Sequence, residues 1–407
     1  MKKFLGMLAI ASGLSFGSTI GLDALGEEHV LGGTASAGGR GFAGGAKTGD
    51  AEGLSVLNPA RLAFDKKVVF NLNFLLEMDM VSGDGDFSTM GVSLPSFNLS
   101  FPMGDFGAMG LSLWQHYASS FNEKTEGGAE LEYAGSVYEL VPSYAIRIPY
   151  IKNFALGVSG HYVLGSSTRS LSLQKNVSDL DSADVWGAPD FTLTDYVEGT
   201  WEIKNHPMYY TFSLQYRGRD ASYYFSYTTG YTLQNDLKYD FRLSEIDSLA
   251  QTSGQRFIDV PAMFATGVNY RFQKKHNVML DLTWRNWDSD VTNIAGGWNM
   301  EKETKSQNDF MVSLGYQRDG SGLFYDSYWK QINYRAGAWY RNWYIEDVYE
   351  VGGSIGGGFP LGRKGTTLDL AVQGGMRFAD TRSEWDEAFF AIRIGLTGIG
   401  SWGQNHR

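Results

Sequence analysis

In Val278-Met279-Leu280-Asp281-Leu282-Thr283-Trp284-Arg285 the apolar side chains take every second position and polar ones most of the places between, the period of a strand with two unlike faces. The same alternation sets Phe154, Leu156, Val158, Tyr162 and Leu164 against Ser159 and His161. It sets Phe310, Val312, Leu314 and Tyr316 against Ser313 and Gln317, and Leu368, Leu370, Val372 and Met376 against Asp369, Gln373 and Arg377. Repeated down the chain, the pattern predicts fourteen strands between residues 67 and 398, among them 94–103, 106–118 and 330–344. Most reach the ~9–11 residues that cross a bilayer at a tilt, and an even number returns both ends of the barrel to one side.

The connections alternate as well. Gly104-Asp105, Tyr150 to Lys152, Gly218 to Asp220, Gln273 to Lys275 and Leu361 to Lys364 are brief, whereas 174–206 and 236–255 are long. Short periplasmic turns against long outward loops are the habit of an outer-membrane barrel, and a β-sandwich has no reason to share it. The stretch 319–329 is long for a periplasmic turn and points to a shifted strand boundary nearby. Tyr117, Tyr138, Tyr162, Tyr231, Trp287, Tyr340, Trp343 and Tyr344 fall near predicted strand ends, where aromatic girdles are expected.

Composition narrows the reading. With 51 glycines, 14% aromatic residues and no cysteine among 407 residues, the chain is too aromatic for disorder and has neither disulfides nor thiolate metal sites. Met1-Lys2-Lys3 before the apolar run Phe4 to Ala11 reads as a secretory signal over 1–24, with cleavage between residues 17 and 26. No later segment offers the ~20 apolar residues of a membrane-spanning helix. The net charge of −11 argues against nucleic acid as a partner. No metal pair or cofactor motif stands out, and the dispersed histidines and serines suggest no enzyme, although His116 and His161, both predicted inward, are the first candidates for one.

Before the first strand lies Gly32 to Arg61, rich in glycine and alanine and closing on Asn58-Pro59-Ala60. Such a segment cannot form its own core, but its backbone can lie close against enclosing walls. Gly41 to Thr48 is one residue short of a phosphate-cradling loop, since Ala46 replaces the glycine before Lys47 and no strand leads into it. A flexible linker is the other plain reading. The position of Asn58-Pro59-Ala60 directly ahead of the strands resembles the N-terminal hatch of FadL-type outer-membrane transporters of long-chain fatty acids and other hydrophobic compounds. Pro261 to Tyr270, the strand ending Trp284-Arg285-Asn286-Trp287, and Tyr334-Arg335-Ala336-Gly337 are similar to strands of that family. The closing run from Gly356 through Gly374-Gly375-Met376-Arg377 to Trp385, with Trp402 beyond, resembles its variant common in Bacteroidetes-like bacteria.

The resemblance implies an all-β transmembrane barrel of about fourteen strands over 67–398 and a hatch over 25–66; the periplasmic tail expected at 399–407 departs from the aromatic ending of many outer-membrane barrels. It implies passive passage of a hydrophobic small molecule through an outer membrane, and a lateral exit at a kink in the third strand. That strand, 106–118, carries Gly107 and Gly110 but no proline.

If the apolar face meets lipid, the alternation turns Glu77, Glu139, Arg147, His161, Arg217, Arg271, Asp281, Arg285, Arg335, Arg341, Asp369, Arg377 and Arg393 towards the lumen or its mouths. Eight of these are arginines and four are acids, so a basic interior is expected. Arg335, Arg377 and Arg393 are then candidates to hold an anionic head group, or else to brace the wall by ion pairs with Asp281 and Asp369 and to hold the hatch. Trp186, Phe191 and Tyr196 in 174–206 are candidates for a greasy landing site, with Leu243 to Ala250 as a short amphipathic helix beside it. The alternative function is a structural or secretion-accessory barrel whose extracellular loops bind a protein partner.

Overall fold

The computed structural model describes Leu25, 27–29, 33–49, 56–82, 87–124, 129–176, 192–243, 246–287, 305–323, 325–362, 365–379 and 386–400. Fourteen antiparallel strands run in chain order around a closed barrel: β1 (Val68–Ser82), β2 (Phe87–Pro102), β3 (Ala108–Lys124), β4 (Ala129–Arg147), β5 (Phe154–Asn176), β6 (Thr192–Ile203 continuing as Met208–Arg217), β7 (Ala221–Thr228 and Tyr231–Leu243), β8 (Ile246–Val260 and Met263–Phe272), β9 (His276–Arg285), β10 (Asp309–Arg318), β11 (Asn333–Asn342), β12 (Val348–Pro360), β13 (Thr367–Ala379) and β14 (Asp386–Gly400). Closure comes from β14 pairing with β1, from Asp386 opposite Ser82 to Gly400 opposite Val68. The three interrupted strands are single strands by pairing, because β5 pairs with both pieces of β6 and each piece of β7 pairs with the matching piece of β8.

The alternation read from the sequence has the sense of a membrane barrel. On β9, Val278, Leu280, Leu282 and Trp284 are exposed on the outer wall while Met279, Asp281, Thr283 and Arg285 are buried inside. A soluble protein buries its apolar face; here the apolar face is outward and the polar one is enclosed, which is stable only where lipid replaces water outside. Among the described residues no helix is long and apolar enough to cross a membrane. The protein is an outer-membrane β-barrel.

Some expectations shift. β2 begins at Phe87 rather than 94, and β11 begins at Asn333 because the turn before it runs to a short helix, α2 (Tyr328–Gln331). The amphipathic helix expected from Leu243 to Ala250 is absent: Leu243 ends one strand and Ile246–Val260 begins the next, so strand pairing wins there. Much of the loop expected over 174–206 is likewise strand, and Tyr196 pairs with both Ser172 and Arg242. Trp186 and Phe191, with the proposed signal segment and residues 401–407, lie outside the described residues. The girdle expectation is also corrected. Tyr162 and Tyr340 face outward, but Tyr117, Tyr138, Trp287, Trp343 and Tyr344 are buried. Trp287, Trp343 and Tyr344 lie just past strand ends and Tyr117 and Tyr138 lie mid-strand, all on inward positions.

Candidate functional site

The hatch fills the barrel, and its small residues explain how. At the periplasmic end, the end with the short turns, Pro59–Phe64 forms a short 3-10 helix with proline at its first position, where no N–H is missed. Asn58 sits ahead of it in a non-helical conformation and donates from Nδ2 to Gly45 O at 2.9 Å and to Gln215 Oε1 at 2.6 Å. The Ala60 amide donates to Ser213 Oγ at 2.8 Å, so all three residues of the Asn-Pro-Ala motif are fixed to, or pressed on, the wall. Gly157 faces Pro59 and Ala60 so closely that a Cβ there would strike their backbone. Phe64 closes this end beneath Arg147 and Arg217, whose guanidinium carbons lie 5.4 and 5.6 Å from its ring centre.

Further out, α1 (Ala35–Gly38) is capped by Thr34, whose Oγ1 accepts from the Ala37 amide at 3.1 Å. Gly41 takes φ +62°, and its amide donates to Ser354 Oγ at 2.9 Å, while Gly337 on β11 leaves the room that lets the Arg40–Gly41 backbone lie on the wall. The amides of Gly44 and Gly45 both point at the Asp281 carboxylate, the latter at 3.3 Å. The phosphate-loop likeness of this stretch therefore has a physical content: its amides do cradle an anion, and the anion is an aspartate of the barrel's own wall.

The third layer lies in the outward half and is ionic. Arg377 is surrounded by five carboxylates: Glu27 at 3.0 Å, Glu77 at 2.8 Å, Asp79 at 3.0 Å, Glu350 at 3.0 Å, and Glu387. Glu28 receives Arg285 at 2.6 Å, Arg341 at 2.8 Å and His116 at 2.8 Å. His116 and His161 both meet Glu139, at 2.5 and 2.8 Å, and Tyr209 donates its hydroxyl to the same carboxylate at 2.6 Å. Burial alone would raise the Glu28 pKa, but Arg285, His116 and Arg341 together hold it well below the usual carboxylate range. His29 is pushed well below the usual imidazole value by burial, with Arg393, Arg341 and Arg377 adding to the effect. Over this layer sits an apolar cluster in which the hatch residue Leu25 joins Tyr117, Val163, Leu233, Trp287 and Trp343.

The wall itself is incomplete beside this layer. β2 and β3 pair only from Ser96–Trp114 down to Pro102–Ala108, and above that point no pairing joins them among the described residues. Each strand is irregular at the parting: β2 slips register against β1 around Pro95, which has no N–H to give, and β3 bulges between Gln115 and Tyr117. The freed edge of β3 is taken by the hatch, with Glu27 opposite Ala118 and Glu28 opposite Tyr117, and the His29 amide donating to His116 O at 2.8 Å. The irregularity in the third strand is thus at Gln115–Tyr117 and not at Gly107 or Gly110.

Residues 36–407 match the BamG family. The chain belongs to the BamG family. No curated protein matches the sequence. Among solved structures, a Pseudomonas aeruginosa FadL homologue superposes with a TM-score of 0.62 at 15% identity, over 92% of this chain and 99% of that one. The P. putida toluene transporter TodX gives 0.56 at 12% identity, covering 94% and 100%. The Ralstonia pickettii toluene transporter TbuX gives 0.53 at 12%, again covering 94% and 100%. At such identities the likeness is one of fold, and it makes this BamG-family member a FadL-like barrel.

The sequence-predicted lumen residues are where the alternation put them. Arg335 pairs with Asp369 at 2.6 Å, and Arg393 donates to Gln373 Oε1 at 2.5 Å and to the hatch carbonyl of Gly33 at 3.5 Å. Arg147, Arg217 and Arg271 lie at the periplasmic mouth, where Arg271 bonds the Arg219 carbonyl at 2.8 Å. The basic interior is not borne out: the described buried residues include eleven Asp and Glu against eight Lys and Arg. The alternation left out Asp79, Asp309, Glu350 and Glu387 near the outward strand ends, and Glu27 and Glu28 in the hatch. Glu27-Glu28-His29, a polar run beside small and apolar residues, was the available signal.

Proposed function

We propose that this protein passes hydrophobic small molecules, such as long-chain fatty acids or hydrocarbons, into the outer membrane by diffusion, and that the hatch strand at Glu27–Glu28 is the gate. The supporting observation is the parting of β2 from β3, closed from within by that strand and lying next to the apolar cluster around Leu25. A ligand gathered by the outward loops would enter the apolar cluster and leave sideways where the wall is unpaired, so the ionic layer would never have to be crossed. Trp186, Phe191 and Tyr196 are the landing site in this reading, and Arg341 and Arg393 beneath the cluster set the hatch position rather than bind substrate. The FadL-like fold and the closing run from Gly356 to Trp385 support placing it with the FadL-type transporters of Bacteroidetes-like bacteria.

One observation favours a second reading. The cavity lined by Glu27, His29, Phe42, Met311, Arg341 and Arg393 measures about 30 Å³, and the one by Trp114, His161, Thr228 and Pro261 about 10 Å³, room for a water molecule or so. A lipid-sized pocket is on the order of 300 Å³ or more. A barrel that stays shut and offers its loops to a protein partner, a structural or secretion-accessory role, fits cavities of this size among the described residues.

A single lock separates the two. The sequence has no cysteine, and Glu27 and Ala118 are directly opposed across an antiparallel pair, where Cα atoms are ~4.5–5.5 Å apart and a disulfide can form. In E27C/A118C, oxidation should stop uptake of a fluorescent fatty acid and a reductant should restore it. Uptake indifferent to the lock would reject the gate, and uptake absent in the unlocked wild type would favour the shut barrel.

A further inference from the structure

At the periplasmic rim of β9, β10 and β11, His276, Arg318 and Tyr334 are consecutive cross-strand neighbours. Tyr334 is exposed on the outer wall, as are Tyr316 and Tyr270 on neighbouring strands, so this row continues the lipid-facing surface. The Arg318 guanidinium carbon lies 5.6 Å from the Tyr334 ring centre, and the Tyr334 hydroxyl donates to Trp329 O at 3.1 Å. That bond holds the turn 319–332 against the outside of the barrel. The turn is braced internally: the Ser321 amide donates to Lys330 O at 2.9 Å, Gln331 Nε2 to Asp326 O at 2.7 Å, and the Gly320 amide to Asn333 Oδ1 at 2.8 Å. Even so, Trp329 and Tyr325 are 70% and 72% exposed. A turn this well fixed displays its aromatics because of its construction, not because it is loose.

Charge completes the pattern. Lys274, Lys275, Arg318 and Lys330 ring the same rim, and among the described residues none of them has a carboxylate within ion-pair distance. Of the acids in the same turn, Asp319 is engaged on the lumen side, by Lys47 at 3.6 Å, Asn277 at 2.9 Å and Gln317 at 2.7 Å, and Asp326 is half-buried with its carbonyl held by Gln331. Exposed amphipathic rings with unpaired cations beside them are the chemistry of a membrane interface, the rings at carbonyl depth and the cations at phosphate depth.

We infer that this rim, with Trp329, Tyr325, Arg318 and Lys330 at its centre, is a binding patch for the phosphate-bearing head group of a phospholipid in the inner leaflet. The continuity of Tyr334 with the lipid-facing wall favours a lipid over a periplasmic protein. The patch acts whether or not the lumen ever opens, and it fixes the depth of β9–β11 in the bilayer.

Native mass spectrometry of the full-length protein, offered dimyristoyl phosphatidylglycerol or a phosphate-free dimyristoyl glycolipid, reads the patch directly. The phosphatidylglycerol should be retained in preference, and R318Q/K330Q, verified as a heat-modifiable folded barrel, should lose about five-fold in retention for each charge removed. Equal retention of both lipids, or no loss in the variant, would overturn the assignment. Independently of that variant, a photo-crosslinking residue in place of Trp329 in native membranes should give phospholipid adducts; a protein adduct as the main product would mean that the patch docks a partner instead.

Discussion

The two ends of the hatch are held by different physics. Around Pro59–Phe64 the attachment is mainly steric: small wall residues Ala108, Ala145 and Ala155 pack on Ala60, Leu62 and Phe64, single amides meet hydroxyls, and Arg147 and Arg217 lie over the Phe64 ring. Around Glu27–His29 it is ionic, with two hatch carboxylates shared among Arg377, Arg285, Arg341 and His116. Packing is insensitive to pH and is lost only if the shapes change. Buried ion pairs are different: they cost desolvation to form, but once formed the loss of one partner strands the rest. The difference marks the inner end as the anchor and the outer end, beside the parted β2 and β3, as the part that can let go.

The largest expected effect comes from breaking the ionic end at its hub. R377M should destabilise the folded barrel by about 3–5 kcal/mol, because five carboxylates then lose their common cation. The shift in the midpoint of urea unfolding in detergent measures it, and a change within error would mean that the carboxylates repartner freely. At the packed end, G337A should cost about 1–3 kcal/mol, since the new methyl group meets the Arg40–Gly41 backbone. Its effect should disappear when the hatch is deleted, which a barrel-only role for Gly337 would not allow.

Acidification sharpens the contrast without mutation. The folded pKa of Glu28 and that of His29 both lie well below the ordinary values, so both groups bind protons more readily when the hatch strand is released. The sign is the same for the two: docking is favoured above the ordinary pKa and weakens as pH falls from it towards the docked value. His29, surrounded by Arg393, Arg341, Arg377 and His116, contributes first, below about pH 6.5, and Glu28 below about pH 4.3. Limited proteolysis should therefore cut near Glu27–His29 faster at pH 5 than at pH 7.5, with no change near Pro59–Phe64. The smallest effect belongs to K47M: Lys47 and Asp319 are 3.6 Å apart with Asp319 part-exposed, so the loss should stay within ~0–1 kcal/mol in the same urea titration.

The barrel was legible because its signal is redundant. Fourteen alternating stretches and alternating connection lengths each point to the same closed sheet, and errors such as the start of β2 do not change the count. Individual inward positions on the strands, including Arg335, Arg377 and Arg393, were legible for the same reason. The site was not, because it depends on which distant inward residues meet. Nothing in the spacing says that Arg377 meets Glu27 of the hatch, or that Asp281 would receive two glycine amides. Aromatics expected at strand ends were misread because the strand boundaries shifted, and because position along a strand says how near the rim a ring lies, while parity says which face it takes. Tyr117 and Trp343 took the inner one.

That the hatch, and nothing else, closes this barrel is tested most directly by planar-bilayer recording. A variant lacking the whole hatch, residues 25–66, retains every strand-to-strand pairing of the wall, since the ladder from β1 to β14 does not run through the hatch. Once shown to be folded, it should conduct ions through a persistently open lumen, while the full-length protein stays closed. Equally low conductance in the two would contradict the account, and would mean that the glycine-rich segment rests in a lumen sealed by the wall's own side chains.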